Sequence, residues 1–387
     1  MGESGRFVQT FYDEVLYVGG FMGNVYNFKL GIFKMDHRMF NYDRALECDH
    51  KSEKSVAQSL NLGRMGHLAF WDHQRSNLIL FGGQRAADHS QPNSTHRPLQ
   101  NDVLIYDITR MRIADQIVFS EATIGRRMYH AGFKIDDSIF SIGGQGRNGK
   151  IYDEFIEINI RTRRQADALV SKGRSLIGEI YSTAITPVFY RSKMSSDGSL
   201  NLASIAGEIN WGDALELIKY EGFYMFGGRL ADGEASDQLL VLRLHEDRNT
   251  GRAKFKIDKP KMTGRSPPAR YMHSIDYIAR LGLVAIYGGR DDTLPDHPIL
   301  DDLWVIKLFN MEYLRVQVGG SAKPSPRCNH CSFVNGSELI VCGGQGAGFK
   351  LSKAVEKIEL DQELIDKTNP ILSNLSSNIG GMFGRFA

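Results

Sequence analysis

The sequence is poor in several features that mark specialised classes of protein. Only 4 of its 387 residues are cysteine, which suits reduced thiols in a cytosolic protein better than a disulfide framework. Its formal net charge is +2, so no strong overall field attracts nucleic acid or a membrane surface. No apolar run approaches the roughly 20 residues that span a bilayer, and Met1–Tyr12 lacks the apolar core of a signal peptide. We therefore expect a soluble cytoplasmic protein that neither inserts into a membrane nor binds nucleic acid.

Glycine, in contrast, is abundant and regularly placed. Twelve of the 40 glycines form six pairs, each at the end of a short apolar run such as Leu80-Phe81. The pairs are Gly19-Gly20, Gly82-Gly83, Gly143-Gly144, Gly227-Gly228, Gly288-Gly289 and Gly343-Gly344. Successive pairs lie 55 to 84 residues apart, and self-similarity at this spacing indicates a repeat architecture.

A second motif, Arg-x-x-His, precedes four of the diglycines. Its histidine lies 13 or 15 residues before the first glycine, which leaves room for two short strands and a turn. Two alternating apolar runs follow the diglycine, as at 102–107 and 112–118, and complete four antiparallel strands per copy. The motifs are Arg64 to His67, Arg127 to His130, Arg270 to His273 and Arg327 to His330.

The six apolar Gly-Gly strand ends, together with aromatic or acidic positions in the third strand, resemble the kelch repeat family. The resemblance extends over roughly Gly5 to Leu360. It implies an all-β fold, a six-bladed kelch-type β-propeller spanning residues 1–360. We interpret all twelve paired glycines as structural, because positive φ and close approach of strands both exclude a Cβ atom.

Blades one and four depart from the pattern. In blade one, Gln9 stands at the predicted histidine position. In blade four, Arg174 is present but Ile177 replaces the histidine, and the interval between diglycines is the longest. The extra residues predict an inserted β-hairpin around 186–214, on an Asp-Gly turn. This insert is either a tolerated surface insertion or a projecting contact arm.

The segment 361–387 leaves the repeat and forms a C-terminal tail. Asn369-Pro370 is a suitable helix start and Gly380-Gly381 a suitable stop, so the tail is predicted to contain a short helix at about 370–379. Such a short helix needs a surface to pack on. That surface is either its own propeller or a partner.

Two strings imitate chemical motifs, and neither is interpreted as a site. The segment 144–150 contains G-x-G-x-x-G but leads into a strand rather than a helix, so it lacks the helix N-terminus that binds phosphate. Cys328 and Cys331 have the spacing of half a zinc site without a second pair of ligands nearby, and are interpreted as buried thiols. We therefore expect no cofactor, metal or catalytic residue. The repeated histidines are interpreted as hydrogen-bonding residues between blades.

The loops that enter the first strand and leave the second open on one face, and this face is rich in arginine. The first kind of loop carries Arg64, Arg126, Arg127, Arg174, Arg270 and Arg327. The second kind carries the residues that we predict to bind a partner: Gln84, Arg85, Gln145, Arg147, Arg229, Arg290 and Gln345. We interpret the motif arginines as struts between blades. Acidic residues of the second loops, including Asp88, Asp232, Glu234, Asp291, Asp292 and Asp296, provide an alternative in which the arginines are neutralised internally.

These patterns predict a non-catalytic scaffold for protein–protein interaction. Its arginine- and glutamine-rich face would bind an acidic segment of a partner, within a larger complex in the cytoplasm or on the cytoskeleton. The alternative is an enzyme acting on a sugar or small metabolite at the central channel, because kelch-like propellers include copper radical oxidases and a sialic-acid mutarotase.

Overall fold

A computed structural model describes most of the repeat region. The described residues are 3–11, 14–22, 25–26, 30–36, 39–46, 62–85, 97–189, 220–247, 249–317, 325–352 and 354–360. The expected tail helix at 370–379 and the part of the blade-four insert beyond residue 189 lie outside these ranges. Within them, no helix has the length and apolar character needed to cross a membrane.

Six sheets of three or more strands follow one another along the described chain, one for each blade, and two further two-stranded sheets accompany blades 2 and 4. Blade 1 contains β1 (Glu3–Phe11), β2 (Glu14–Met22), β3 (Val25–Tyr26), β4 (Leu30–Asp36) and β5 (Met39–Leu46). Blade 2 contains β6 (Arg64–Met65), β7 (Leu68–Asp72), β8 (Asn77–Phe81), β9 (Gln84–Arg85), β10 (Val103–Asp107) and β11 (Arg112–Ile117). Blade 3 contains β12 (Ala131–Ile135), β13 (Ser138–Ile142), β14 (Phe155–Asn159) and β15 (Arg164–Asp167).

The second half of the ring repeats this arrangement. Blade 4 contains β16 (Leu169–Lys172), β17 (Ile180–Tyr181), β18 (Ala184–Val188), β19 (Gly222–Phe226), β20 (Arg229–Leu230), β21 (Leu239–Glu246) and β22 (Ala253–Asp258). Blade 5 contains β23 (Ser274–Ile278), β24 (Leu283–Tyr287), β25 (Leu303–Lys307) and β26 (Glu312–Val316). Blade 6 contains β27 (Cys331–Asn335), β28 (Glu338–Cys342) and β29 (Val355–Glu359). Three short 3₁₀ turns lie at Arg147–Gly149, Arg174–Leu176 and Ala347–Phe349.

Within each blade the strands pair antiparallel in chain order, and the inner strands of successive blades touch around a ring. The inner strands are β1, β7, β12, β18, β23 and β27, and each contacts the next. The ring closes because β27 also contacts β1. The predicted six-bladed kelch-type propeller is therefore confirmed. Blade 4 differs in one respect, since β16 adds a fifth strand parallel to β22 at its outer edge.

Each blade packs between two others, so its strands are apolar on both faces. All four residues Leu78 to Phe81 of β8 are fully buried. Between blades 3 and 4, the ring of Phe133 stacks on that of Phe223 with centroids 3.6 Å apart. Burial on both sides explains why these strands appear in the sequence as continuous apolar runs rather than as alternating patterns.

The diglycines are the places where neighbouring blades meet. All twelve paired glycines have positive φ, which confirms their structural interpretation. The amide of Gly289 donates a hydrogen bond of 2.9 Å to the carbonyl of Arg327 in the next blade. A Cβ atom on Gly288 would collide with that same carbonyl and lie 3.3 Å from the ring of His330. Gly288 is therefore needed for the close approach of blades 5 and 6, whereas a Cβ atom on Gly289 would collide with Tyr271 and His273 of its own blade.

Strand register corrects the alignment of blade four. In blade 5, Ser274 follows the motif histidine and pairs with Tyr287, the residue before the diglycine. In blade 4 the residue before the diglycine is Phe226, which pairs with Ala184. Thr183 therefore occupies the histidine position and Ile180 the arginine position. The predicted equivalence of Arg174 and Ile177 with the motif is therefore wrong. These residues belong to a 3₁₀ turn that follows β16, an element absent from the other blades.

The same argument corrects blade one. Arg6 pairs with Val18, the residue before the first diglycine, so Gly5 rather than Gln9 stands at the histidine position. The register also brings the side chain of Arg6 to the inner edge of the ring, where blade 2 has Leu68.

Candidate functional site: the channel mouth and the loop face

The four motif arginines are buried inside their own blades. Arg64 pairs with Asp102 at 2.8 Å, Arg270 with Asp302 at 2.7 Å, and Arg327 with Glu356 at 2.6 Å, while Arg127 pairs with Glu154. Each also donates to the carbonyl of the first diglycine residue of its own blade. The predicted strut between blades is thus wrong for the side chain. The backbone of Arg127, Arg270 and Arg327 joins two blades, through the amide as well as the carbonyl, whereas the guanidinium is not part of the exposed face.

Burial makes these ion pairs important for stability. Burial alone would raise the pKa of Asp302, but the hydrogen bonds and charge of Arg270 outweigh it and hold the pKa below its usual value. Trp304 adds a further hydrogen bond of 2.7 Å to the same carboxylate. Loss of the arginine would therefore leave an ionised carboxylate without its cation in a buried position.

We expect Arg270→Met to lower the free energy of unfolding by about 3–5 kcal/mol, because it removes one partner of a buried ion pair. Arg110→Met provides a matched control, since Arg110 pairs with Asp107 at the same 2.7 Å but has a side chain that is 68% exposed. Arg110→Met should lower the free energy of unfolding by only about 0–1 kcal/mol. Urea denaturation of the two variants measures both values, and equal losses would contradict the role assigned to burial.

The four motif histidines lie between blades. The ring of His273 meets the edge of Phe226 with centroids 5.6 Å apart, and the ring of His330 meets Tyr287 at 5.5 Å. His130 shares a hydrogen bond of 2.8 Å with Ser141 of its own blade. The carbonyl of Phe81 lies near the ring of His130, and that of Phe226 lies near the ring of His273. Neither carbonyl is aligned well enough to accept a regular hydrogen bond from the ring. Burial and neighbouring arginines lower the pKa of all four, so they are neutral at ordinary pH.

The third residue of each motif forms a backbone ring at the mouth of the channel. Gly66, Tyr129, Ser182, Met272 and Asn329 all have φ between 52° and 63°. Each amide after the first donates to the carbonyl of the previous member, at 2.7, 2.7, 3.0 and 2.8 Å. We call these five residues the mouth ring. Sequence analysis missed it because the position holds five different residue types.

Below the mouth ring lies a cavity of about 230 Å³, lined by the inner strands of all six blades. Its polar groups include Arg6 from blade 1, Asp276 from blade 5 and Ser332 from blade 6. The hydroxyl of Ser332 donates to Oδ2 of Asp276 at 2.6 Å. We call this space the channel cavity.

Beside the mouth, blades 4 to 6 form an arginine and aromatic patch. Arg229 and Arg290 share the carboxylate of Asp292, at 3.4 and 2.5 Å, and both guanidinium groups lie over the ring of Tyr271. The guanidinium of Arg290 also lies 4.7 Å from the ring of Phe349, whose side chain is 44% exposed. Internal neutralisation by Asp292 is therefore present, and it is shared between two arginines.

The remaining predicted contact residues take separate positions. Arg147 is half exposed and lies 3.6 Å from Glu121, which also pairs with Arg126. Arg85 and Gln84 form β9, which pairs with β6. Gln145 and Gln345 are held by backbone bridges to residues 128 and 328. Arg174 donates to the carbonyl of Asp153 at 2.7 Å, from its 3₁₀ turn.

The two strings that imitate chemical motifs have structural explanations. Residues 147–149 form a 3₁₀ turn, after which Ile151 returns to pair with Gln145. Cys328, Cys331 and Cys342 are buried and form no disulfide with one another, and burial raises the pKa of Cys331 to about 12. In the part of the chain that the structure describes, no group of three histidine, cysteine, aspartate or glutamate residues is arranged to hold a metal ion.

A family model described as the KLHDC2/KLHL20/DRC7 Kelch-repeats domain matches residues 214–364. This segment covers β19 to β22 of blade 4 and all of blades 5 and 6, and in blades 5 and 6 the diglycine and the buried arginine pair both recur. Residues 214–364 are a kelch-repeat segment, and the described chain around them forms a β-propeller. The kelch propeller also shares its fold with the solved structure of YjhT, with a TM-score of 0.60 and 13% identity over 93% of this chain and 95% of that one.

One curated relative of the kelch propeller is a probable serine/threonine-protein kinase of Dictyostelium discoideum. It is 31% identical over 126 residues, which are 32% of this chain and 9% of that protein. The kelch propeller thus corresponds to a small part of that relative's length.

Proposed function

We propose that this kelch propeller is a non-catalytic, protein-binding subunit of a larger cytoplasmic assembly, and that an acidic segment of the partner binds its loop face. The observation that carries the proposal is the patch formed by Arg229, Arg290 and Phe349. Arginine and aromatic side chains are enriched among the residues that dominate binding energy at protein interfaces. Phe349 is 44% exposed, and the side chains of Arg229 and Arg290 are about one third exposed.

The charge of the patch favours an acidic partner. Two guanidinium groups share one carboxylate, Asp292, so the patch keeps positive charge in excess. Partly exposed ion pairs contribute only about 0–1 kcal/mol, so a carboxylate of the partner can displace Asp292 at little cost. Arg147 offers a second cation, with its side chain 48% exposed. Arg85, Gln84, Gln145 and Gln345 extend the proposed contact surface around the mouth.

The test begins with capture of the tagged protein at low salt and identification of stoichiometric partners by mass spectrometry. The affinity of the identified partner is then measured for Arg229→Glu/Arg290→Glu. We expect a loss of at least tenfold, and a steep fall of the wild-type affinity with salt. Arg110→Glu/Arg163→Glu is the control, because these side chains lie in turns between third and fourth strands, on the opposite face.

Equal affinity in the two double variants would reject the loop face as the binding surface. Thermal melting of each variant checks that the propeller is intact, because Arg229 and Arg290 also pack on Tyr271. A lone monomer of 43.4 kDa without any captured partner would favour the second candidate, an enzyme acting on a small metabolite in the channel cavity. The polar lining of that cavity is the observation that favours it.

A further inference from the structure

The channel cavity contains a carboxylate without a cation. Asp276 accepts its hydrogen bond from the hydroxyl of Ser332, and the Ser274 hydroxyl lies close by. Among the described residues, no lysine, arginine or histidine forms an ion pair with Asp276. Burial raises its pKa to about 6, so the group is ionised at neutral pH and is poorly compensated. Buried charges in proteins are normally paired, so this site lacks a positive group.

The same cavity is also lined by a positively charged side chain, that of Arg6. Nε of Arg6 donates to the carbonyl of His67 at 3.1 Å, and within the described ranges this is the only hydrogen bond formed by its guanidinium. Burial lowers the pKa of Arg6, and nearby Cys331, whose own pKa is raised, only partly offsets this effect. Among the described residues, Arg6 therefore has no carboxylate partner and Asp276 has no cationic partner.

Arg6 and Asp276 lie on the two sides of one strand. The inner strand β27 contacts β1, which carries Arg6, and β23, which carries Asp276. Cys331 interacts with Arg6, and the next residue, Ser332, is hydrogen-bonded to Asp276. Both charged side chains line the cavity, and they interact with two consecutive residues of β27.

Neutral polar groups complete the lining. Oγ of Ser182, and both ring nitrogens of His273 and His330, are buried and lack a hydrogen-bond partner among the described residues. All three side chains line the cavity and are at least nine-tenths buried. Buried polar groups in folded proteins nearly always have partners, so an occupant is expected to supply them.

We propose that the channel cavity binds a small zwitterion, with the ammonium group at Asp276 and the carboxylate at Arg6. The hydroxyl and imidazole groups hydrogen-bond the rest of the ligand. The volume of about 230 Å³ is below the roughly 300–1,000 Å³ of pockets for drug-sized ligands, which favours a molecule the size of an amino acid.

The test measures binding of glycine, β-alanine, γ-aminobutyrate and ε-aminocaproate to the full chain, by calorimetry and thermal shift at up to about 10 mM. Butylamine and butyrate are matched controls that carry one charge each. We expect at least one zwitterion to bind tenfold more tightly than either control. Failure of the whole series to bind, or equal binding of butyrate or butylamine, would overturn the proposal.

Asp276→Asn tests the ammonium position. Asparagine keeps an acceptor for Ser332 but removes the charge, so we expect loss of the preference for the zwitterion over butyrate. The unliganded variant should be at least as stable as the wild type above the pKa of Asp276, because an uncompensated buried charge has been removed. A stable Asp276→Asn protein that binds the zwitterion with unchanged affinity would overturn the assignment. These outcomes are independent of partner capture on the loop face.

Discussion

Acidification from about pH 7 to about pH 5 is expected to destabilise the propeller by more than the roughly 2 kcal/mol that one buried histidine contributes. The cause is the set of four buried histidines, His67, His130, His273 and His330. Burial, together with the charge of Arg327, lowers the pKa of His330 to about 3. The pKa values of the other three are also well below 6.5, with burial as the main cause.

The direction follows from proton uptake. An unfolded histidine binds a proton near pH 6.5, whereas the folded one does not until its lowered pKa, so the unfolded state binds more protons and stability falls as the pH drops below about 6.5. For His330 the loss at about pH 5 is about 2 kcal/mol, and the other three act in the same direction. Asp276 opposes them by about 1 kcal/mol, because its raised pKa makes the folded state take up a proton there. Above about pH 6.5 the histidine contribution is fully retained.

Blade 4 supplies the control for this prediction. Thr183 stands at the histidine position and donates a hydrogen bond of 2.9 Å to the carbonyl of Phe226, so His273→Thr copies a residue that the fold already accepts. The free energy of unfolding should fall with pH less steeply in this variant, by up to about 1.4 kcal/mol per pH unit, the contribution of one proton. Denaturant titrations between about pH 5 and 6.5 measure the slopes. Identical slopes in wild type and variant would show that His273 does not contribute.

The second large effect concerns the contact between blades 5 and 6. Gly288→Val is expected to cost more than about 4 kcal/mol or to prevent folding, because the new Cβ collides with the carbonyl of Arg327. That carbonyl also accepts the hydrogen bond from Gly289. It cannot move away without breaking the link between the two blades.

Gly336→Val is the matched control. Gly336 has φ of +63°, against +60° for Gly288, but a Cβ atom added to it at the β27–β28 turn would meet no atom within 4 Å. The free energy of unfolding of Gly336→Val should therefore fall only by about 1–2 kcal/mol, the cost of placing a side chain at positive φ. Resistance to proteolysis and the melting temperature compare the two variants. A Gly288→Val protein as stable as Gly336→Val would disprove the close approach of the blades.

The fold could be predicted because its determinants are periodic. The diglycines are required at every contact between blades, so they recur and set the number of blades. Blade 4 could not be aligned, because Thr183 replaces the histidine and β16 with its 3₁₀ turn changes the spacing. Arg174 was therefore mistaken for the arginine of the motif. The register of the paired strands, which only the structure gives, was needed to show that Ile180 holds that position.

The candidate sites were only partly predictable. Arg229 and Arg290 were identified from their loops, but the exposure of Phe349 depends on the turn at 347–349. Arg6, Asp276 and Ser332 come from three blades and share no motif, so no pattern along the chain brings them together. The motif arginines were interpreted as struts between blades, because sequence alone does not show that each guanidinium pairs with a carboxylate of its own blade.

The backbone hydrogen bonds of the mouth ring do not depend on the side chains of its residues. Its hydrogen bonds use only backbone atoms, so a change of side chain at Tyr129, Ser182, Met272 or Asn329 leaves them in place. The positive φ excludes β-branched residues most strongly, and other residue types are compatible. Substitutions at these positions can therefore change the chemistry of the cavity lining one side chain at a time, while the backbone of the entrance is unchanged.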